Sequence, residues 1–165
     1  NVDELVENNG GIIPGEFLNL GFEMLKPMAK IRKYTGVVDI MDDRDKVLNF
    51  LRMEKWVSDS PDQAGACFRQ FIKDLYQQNK LIKGELVVGP YQVNLKNITM
   101  PLLNIYAASD HLVPPACSIP FEKYVGSKDV KTYEFPGGHI GVFVGARSQS
   151  ELSPTIFDWL KERDQ

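Results

Sequence analysis

Two stretches decide the fold: PLLNIYAASDHLVPP at residues 101–115 and VKTYEFPGGHIGVFV at residues 130–144. The first begins with an apolar run, Leu102–Ala108, the second begins with Val130–Phe135, and each ends in a polar turn. We interpret both as short buried strands of a parallel sheet. Asp110 follows the first run and His139 follows the second. Open α/β sheets build their sites at the carboxyl ends of parallel strands. The pattern therefore predicts an α/β sheet that brings Asp110 close to His139.

The order of these two residues along the chain narrows the fold class. In α/β-hydrolases the catalytic triad runs nucleophile, acid, histidine, and Asp110 and His139 match the last two members in that order. Residues 115–125 can supply the single helix expected between the two strands. The chain is therefore predicted to hold the C-terminal portion of an α/β-hydrolase sheet, together with a mostly helical cap.

The nucleophile that this fold requires is missing from the sequence. An α/β-hydrolase carries it in a Gly-x-Ser/Cys-x-Gly elbow between a strand and a helix, and no such motif occurs in the 165 residues. The nearest approach, Gly65-Ala66-Cys67, lacks the closing glycine and lies in a helical pattern. We therefore expect a nucleophile upstream of this chain, in a longer protein.

Several longer strings resemble the polyhydroxyalkanoate synthase family, in the C-terminal part of its catalytic subunit. They are SDHLVPP, FPGGHIG, LKNITMPLLNIYA and SPTIFDWLKERD, and MEKWVSDSPDQAG and FRQFIKDLYQQN are similar to the shorter synthases that work with a second subunit. The doubled glycine before His-Ile-Gly is a much more specific motif than the Asp-x-x-Val-Pro turn, which many α/β-hydrolases share.

The resemblance implies an acyltransferase that polymerises (R)-3-hydroxyacyl-coenzyme A into polyester through a Cys-His-Asp triad. His139 would be the general base and Asp110 its partner, while the resemblance leaves open whether Asp110 also activates the incoming hydroxyl. It implies a coenzyme A thioester as substrate, no cofactor and no metal. The implied partners are the polyester granule, a second subunit and a second copy bound through the cap, in the cytoplasm.

Two alternatives stay open beside this prediction. An ordinary α/β-hydrolase-fold esterase or acyltransferase would share Asp110 and His139 and would differ at the elbow residue. A non-catalytic fragment that binds a partner subunit or a granule would need neither residue. His111 is predicted to be structural, because a neighbour of the acid points elsewhere. Cys67 and Phe68 are predicted to lie on the apolar face of a helix and to pack in the core, and Cys117 is predicted to be a small, buried residue.

Composition excludes other classes of function. The net charge of −3 provides no basic surface for nucleic acid, and no apolar run approaches the roughly 18 residues of a membrane-spanning helix. Residues 1–95 are predicted to form a cap or lid region, and residues 96–165 the end of the catalytic core.

Local patterns predict where several elements begin. Asp42 or Asp43 is expected to cap a helix over 44–57. Ser60, Pro61 and Gln63 have the spacing of a capping box. Ser153 and Pro154 are expected to start the last helix, with Ile156, Phe157 and Leu160 facing the sheet.

Overall fold

The computed structural model describes residues 1–25 and 27–164. The chain forms two compact units, one of residues Asn1–Asn79 and a second that begins at Lys80. The predicted boundary near residue 95 concerns the functional division into cap and core, and it stays a prediction.

The first unit is mainly helical. Its helices and strands are α1 (Val2–Asn8), β1 (Ile12–Ile13), α2 (Gly15–Leu25), α3 (Pro27–Thr35), α4 (Arg44–Ser58), β2 (Gln63–Ala64) and α5 (Gly65–Gln70). A 3-10 turn covers Val38–Ile40, and α5 continues as a π-helical segment over Phe71–Gln77. β1 and β2 pair antiparallel, with Ile12 opposite Ala64.

The core of this unit is small. Val6, Ile13 and Phe68 are its buried members, and Leu18 and Ile72 pack against them from the sides. Phe68 matches its predicted place in the core, but Cys67 is exposed, so the prediction that it packs inside is wrong.

Two helix caps are predicted in the first unit, of which one is confirmed and the other is wrong. Asp43 caps α4, because its carboxylate accepts the backbone N–H groups of Asp45 and Lys46 at 3.1 Å each. The prediction of a capping box at residues 60–63 is wrong. Gln63 is not in the first turn of a helix but lies in β2, opposite Ile13, so strand pairing replaces the predicted helix start.

The second unit carries the predicted strands. Its elements are α6 (Lys80–Lys83), β3 (Val87–Val88), β4 (Tyr91–Gln92), β5 (Leu102–Ala107), α7 (Pro115–Ser118), β6 (Val130–Phe135) and α8 (Ser153–Lys161). β3 and β4 form a short antiparallel hairpin. β5 and β6 are parallel, from Leu102 opposite Val130 to Ala107 opposite Phe135, which confirms the predicted parallel strands. The connection between them holds α7 and a 3-10 segment over Ile119–Lys123.

The start and the faces of α8 differ from the prediction. A π-helical segment, Ser148–Leu152, runs directly into α8, so Ser153 makes no side-chain cap. Phe157 and Leu160, which were expected to face the sheet, are 63% and 53% exposed. Beyond α8, Arg163 forms a bidentate ion pair with Asp129 at 2.7 and 2.9 Å, which ties the C-terminal segment to the turn before β6.

Within the described part of the chain, no helix combines the length and the apolar composition that crossing a bilayer requires.

Candidate active site

The site lies where β5 and β6 end side by side. Their last paired residues, Ala107 and Phe135, are both 2% exposed, so the two strand ends are held in the interior of the second unit. Since the strands are parallel, the loops that follow them leave from the same edge of the sheet. Asp110 stands in the first of these loops and His139 in the second.

The two loops are bonded to each other before they reach these residues. The N–H of Ala108 donates to the carbonyl of Phe135 at 2.8 Å, and the N–H of Ser109 donates to the carbonyl of Gly137 at 2.9 Å. These bonds continue the pairing of the strands beyond β5 and β6. The segments that carry the acid and the histidine are therefore fixed relative to one another.

Asp110 is held in a tight turn of its own. One carboxylate oxygen, Oδ1, accepts the backbone N–H groups of Leu112 and Val113, each at 2.9 Å. The side chain is only 9% exposed. An aspartate that bonds the backbone two and three residues ahead stabilises a turn, and here the turn also fixes the direction of the carboxylate.

The second carboxylate oxygen of Asp110 meets the histidine. Oδ2 lies 2.8 Å from Nδ1 of His139, within the range expected for a strong hydrogen bond. A proton held on Nδ1 by this bond leaves Nε2 free to accept another. The His139 side chain is 35% exposed, so the ring is accessible to a reacting group while its partner is shielded.

The carboxylate is kept in its ionised form. Burial acts to raise the pKa of Asp110, but the N–H of Val113, the His139 ring and the N–H of Leu112 outweigh it and hold that pKa below its ordinary value. Asp110 is therefore a fixed negative charge at neutral pH. Such a charge orients a histidine and stabilises its protonated form.

The structure brings together the two predicted site residues, and His111 does not join them. His111 is exposed and directly follows Asp110, yet of the two histidines it is His139 that is bonded to the Asp110 carboxylate. Cys67 and Cys117 are free, exposed thiols, so the predicted burial of Cys117 is also wrong. Neither cysteine stands in an elbow motif.

One supporting residue is not detectable in the sequence. Ser148 is buried, at 6% exposure, and its hydroxyl donates to the carbonyl of Val142 at 2.6 Å. This bond secures the loop that follows His139. Ser148 stands in the polar string Arg147-Ser148-Gln149-Ser150, which looks like an ordinary surface segment.

Parallel strands that deliver an acid and then a histidine define a class of protein, and comparison with known families gives the same result. A family described as the α/β-hydrolase fold matches residues 1–146. The chain belongs to the α/β-hydrolase fold family.

Within this class, the chain is similar to curated poly(3-hydroxyalkanoate) polymerase subunits PhaC. It is 54% identical over 164 residues to the subunit of Synechocystis sp., covering 98% of this chain and 43% of that protein. It is 53% identical over 165 residues to the subunit of Allochromatium vinosum, covering 99% and 46%. For Haloferax mediterranei the identity is 42% over 156 residues, covering 94% and 32%.

These comparisons confirm the resemblance predicted from the motifs. They also show that the chain spans less than half the length of the curated relatives it matches.

Proposed function

We propose that this chain supplies the acid and the general base of a polymerase that joins (R)-3-hydroxyacyl groups from coenzyme A into polyester. The observation that carries the proposal is the 2.8 Å contact between Asp110 Oδ2 and His139 Nδ1 at the ends of two parallel strands. The similarity to poly(3-hydroxyalkanoate) polymerases supports the substrate class.

The proposed reaction is acyl transfer through a thioester. A cysteine on the remaining part of the polymerase gives its proton to Nε2 of His139, and the thiolate attacks the carbonyl carbon of the 3-hydroxyacyl thioester. The sulfur of coenzyme A leaves and takes a proton from His139. The hydroxyl of a second unit then gives its proton to His139 and attacks the enzyme-bound thioester. The ester bond forms as the bond between the carbonyl carbon and the cysteine sulfur breaks, and the departing sulfur takes the proton back from His139. This chemistry calls for no metal or redox cofactor, since the coenzyme A thioester is itself the substrate.

Asp110 is proposed to serve His139 and not to take a proton from the incoming hydroxyl. Its Oδ1 is engaged by two backbone N–H groups and its Oδ2 by the histidine ring. With its pKa lowered, the carboxylate is a weak base. Its contribution is orientation of the ring and stabilisation of the imidazolium.

The proposed partners follow from the nature of the product. A growing polyester is insoluble in water, so a polymerase in the cytoplasm would work at the surface of a granule. The helices of the first unit expose large apolar side chains, which supports a role of residues 1–95 as a cap that contacts polyester, a second subunit or a second copy. The exposed apolar residues on α2 and α3 are Phe17, Leu20, Phe22, Met24, Leu25, Met28 and Ile31.

The two histidines provide the test of the catalytic proposal. In a full-length polymerase that contains these residues, His139→Ala should lower turnover by about a thousandfold, because the general base is lost. His111→Ala should change turnover little, since His111 is exposed and lies outside the pair. Coenzyme A release from 3-hydroxybutyryl-coenzyme A, followed with a thiol reagent, measures both. Equal losses in the two variants would show that the base is wrongly assigned.

A further inference from the structure

The turn between β6 and His139 is built against a buried aromatic ring. β6 ends at Phe135, whose side chain is among the largest that are fully buried. The carbonyl of Phe135 accepts the N–H of Gly137 at 2.9 Å and that of Ala108 at 2.8 Å. The first of these bonds spans only Pro136, whose fixed φ suits such a tight turn. The chain therefore folds back over the end of its own strand.

The first glycine of the pair lies directly on that ring. A Cβ atom added at Gly137 would stand 2.5 Å from Cε1 and 3.0 Å from Cδ1 of Phe135. The Phe135 side chain is buried, at 2% exposure, and buried rings are held in place by close packing. A methyl group at position 137 would therefore displace the backbone of the turn.

The second glycine has no such neighbour. A Cβ atom added at Gly138 would meet only the carbonyl oxygen of Ser109, at 4.0 Å. Neither glycine is among the residues of the described chain that have positive φ, so neither is required by backbone angle. Of the two adjacent glycines, a side chain would therefore clash at position 137 and fit at position 138.

Displacement of the Gly137 backbone would shift both Asp110 and His139. Its carbonyl accepts the N–H of Ser109, the residue before Asp110, and His139 stands two residues further along the chain. We infer that Gly137 is a positioning residue, whose bare Cα against the Phe135 ring sets the separation between Asp110 and His139. The inference rests on the proposed function for the importance of this pair, but the geometry can be tested without turnover.

The test follows the hydrogen-bonded ring proton by NMR in a full-length polymerase that contains these residues. An Nδ1 proton shared with a carboxylate gives a far-downfield, slowly exchanging signal. We expect the signal in the parent chain and in Gly138→Ala, and its loss in Gly137→Ala while the amide signals of β5 and β6 are retained. Retention of the signal in Gly137→Ala, or its equal loss in both variants, would overturn the inference.

A rescue variant covers the case in which Gly137→Ala does not fold. Phe135→Leu in the same chain removes the ring atoms that a Cβ at position 137 would meet, so the double variant Phe135→Leu/Gly137→Ala should fold and regain the downfield signal. A double variant that folds without the signal, or fails to fold where Phe135→Leu alone folds, contradicts the steric argument. Failure of the polymerase assay with an intact ring signal would instead count against the proposed function alone.

Discussion

At the scale of single residues, the site separates a shielded, fixed charge from an accessible histidine ring. Asp110 is shielded and bonded through both oxygens, whereas the His139 ring is partly exposed. The sequence predicts this pair because an acid and a histidine each follow an apolar strand. It does not predict the contact between Gly137 and the Phe135 ring or the burial of Ser148, since both depend on how the backbone turns back on itself in three dimensions.

The ionisation of Asp110 should be visible in the stability of the chain. Its pKa is lower in the folded state than its ordinary value of about 3.9, so the carboxylate stabilises the fold above that pH and the contribution is lost as pH falls through the lower folded value. Asp110→Asn should therefore unfold more easily than the parent near pH 6, and the difference should shrink toward pH 3. Urea unfolding at a series of pH values measures this, and a difference independent of pH would contradict it.

The two cysteines give a second prediction at this scale. Cys67 and Cys117 are exposed and belong to no elbow. Cys67→Ala and Cys117→Ala in a full-length polymerase should therefore leave coenzyme A release intact and change stability by no more than about 0.5 kcal/mol, as is usual for surface substitutions. Mass spectrometry of the acylated enzyme provides the control, because an acyl group on either cysteine would assign the nucleophile to this chain.

At the scale of elements, local and distant interactions explain which predictions hold. β5 and β6 form in the two stretches that were predicted to be strands, each ended by turn residues, but only their last residues, Ala107 and Phe135, are buried. Gln63 has a good local signal for a helix start, but its backbone pairs with Ile13, about fifty positions away. Sequence spacing does not reveal a pairing of this kind.

The cap of α4 offers a test with an adjacent control. Asp43 accepts two backbone N–H groups of the first turn, so Asp43→Ala should lower the free energy of unfolding by about 1 kcal/mol. Asp42→Ala removes a neighbouring exposed carboxylate that caps nothing in the described structure and should have a much smaller effect. Thermal or urea unfolding of the two variants decides it; equal losses would show that Asp43 acts only through its charge.

At the scale of the whole molecule, many apolar side chains are exposed because the 165 residues contain too little sheet to cover them. β5 pairs only with β6 within the described chain, and two strands form a marginal sheet by themselves. This explains why Phe157 and Leu160 of α8 are exposed when their pattern predicts burial. The periodicity of α8 correctly indicates an apolar face, but it does not tell which part of a longer protein covers it.

The same argument predicts how the chain behaves alone. It carries the acid and the proposed base but no elbow motif, and members of a triad act as a unit. The 165 residues alone should therefore release no coenzyme A from 3-hydroxybutyryl-coenzyme A, and they should be poorly stable or oligomeric because the free edge of β5 can pair with other chains. A longer chain that includes a Gly-x-Cys-x-Gly elbow should be active, with its full rate dependent on a second subunit. Thiol-reagent assays and size-exclusion chromatography of both chains measure this. Sustained turnover by the short chain that His139→Ala abolishes would place a nucleophile within these residues and overturn the prediction.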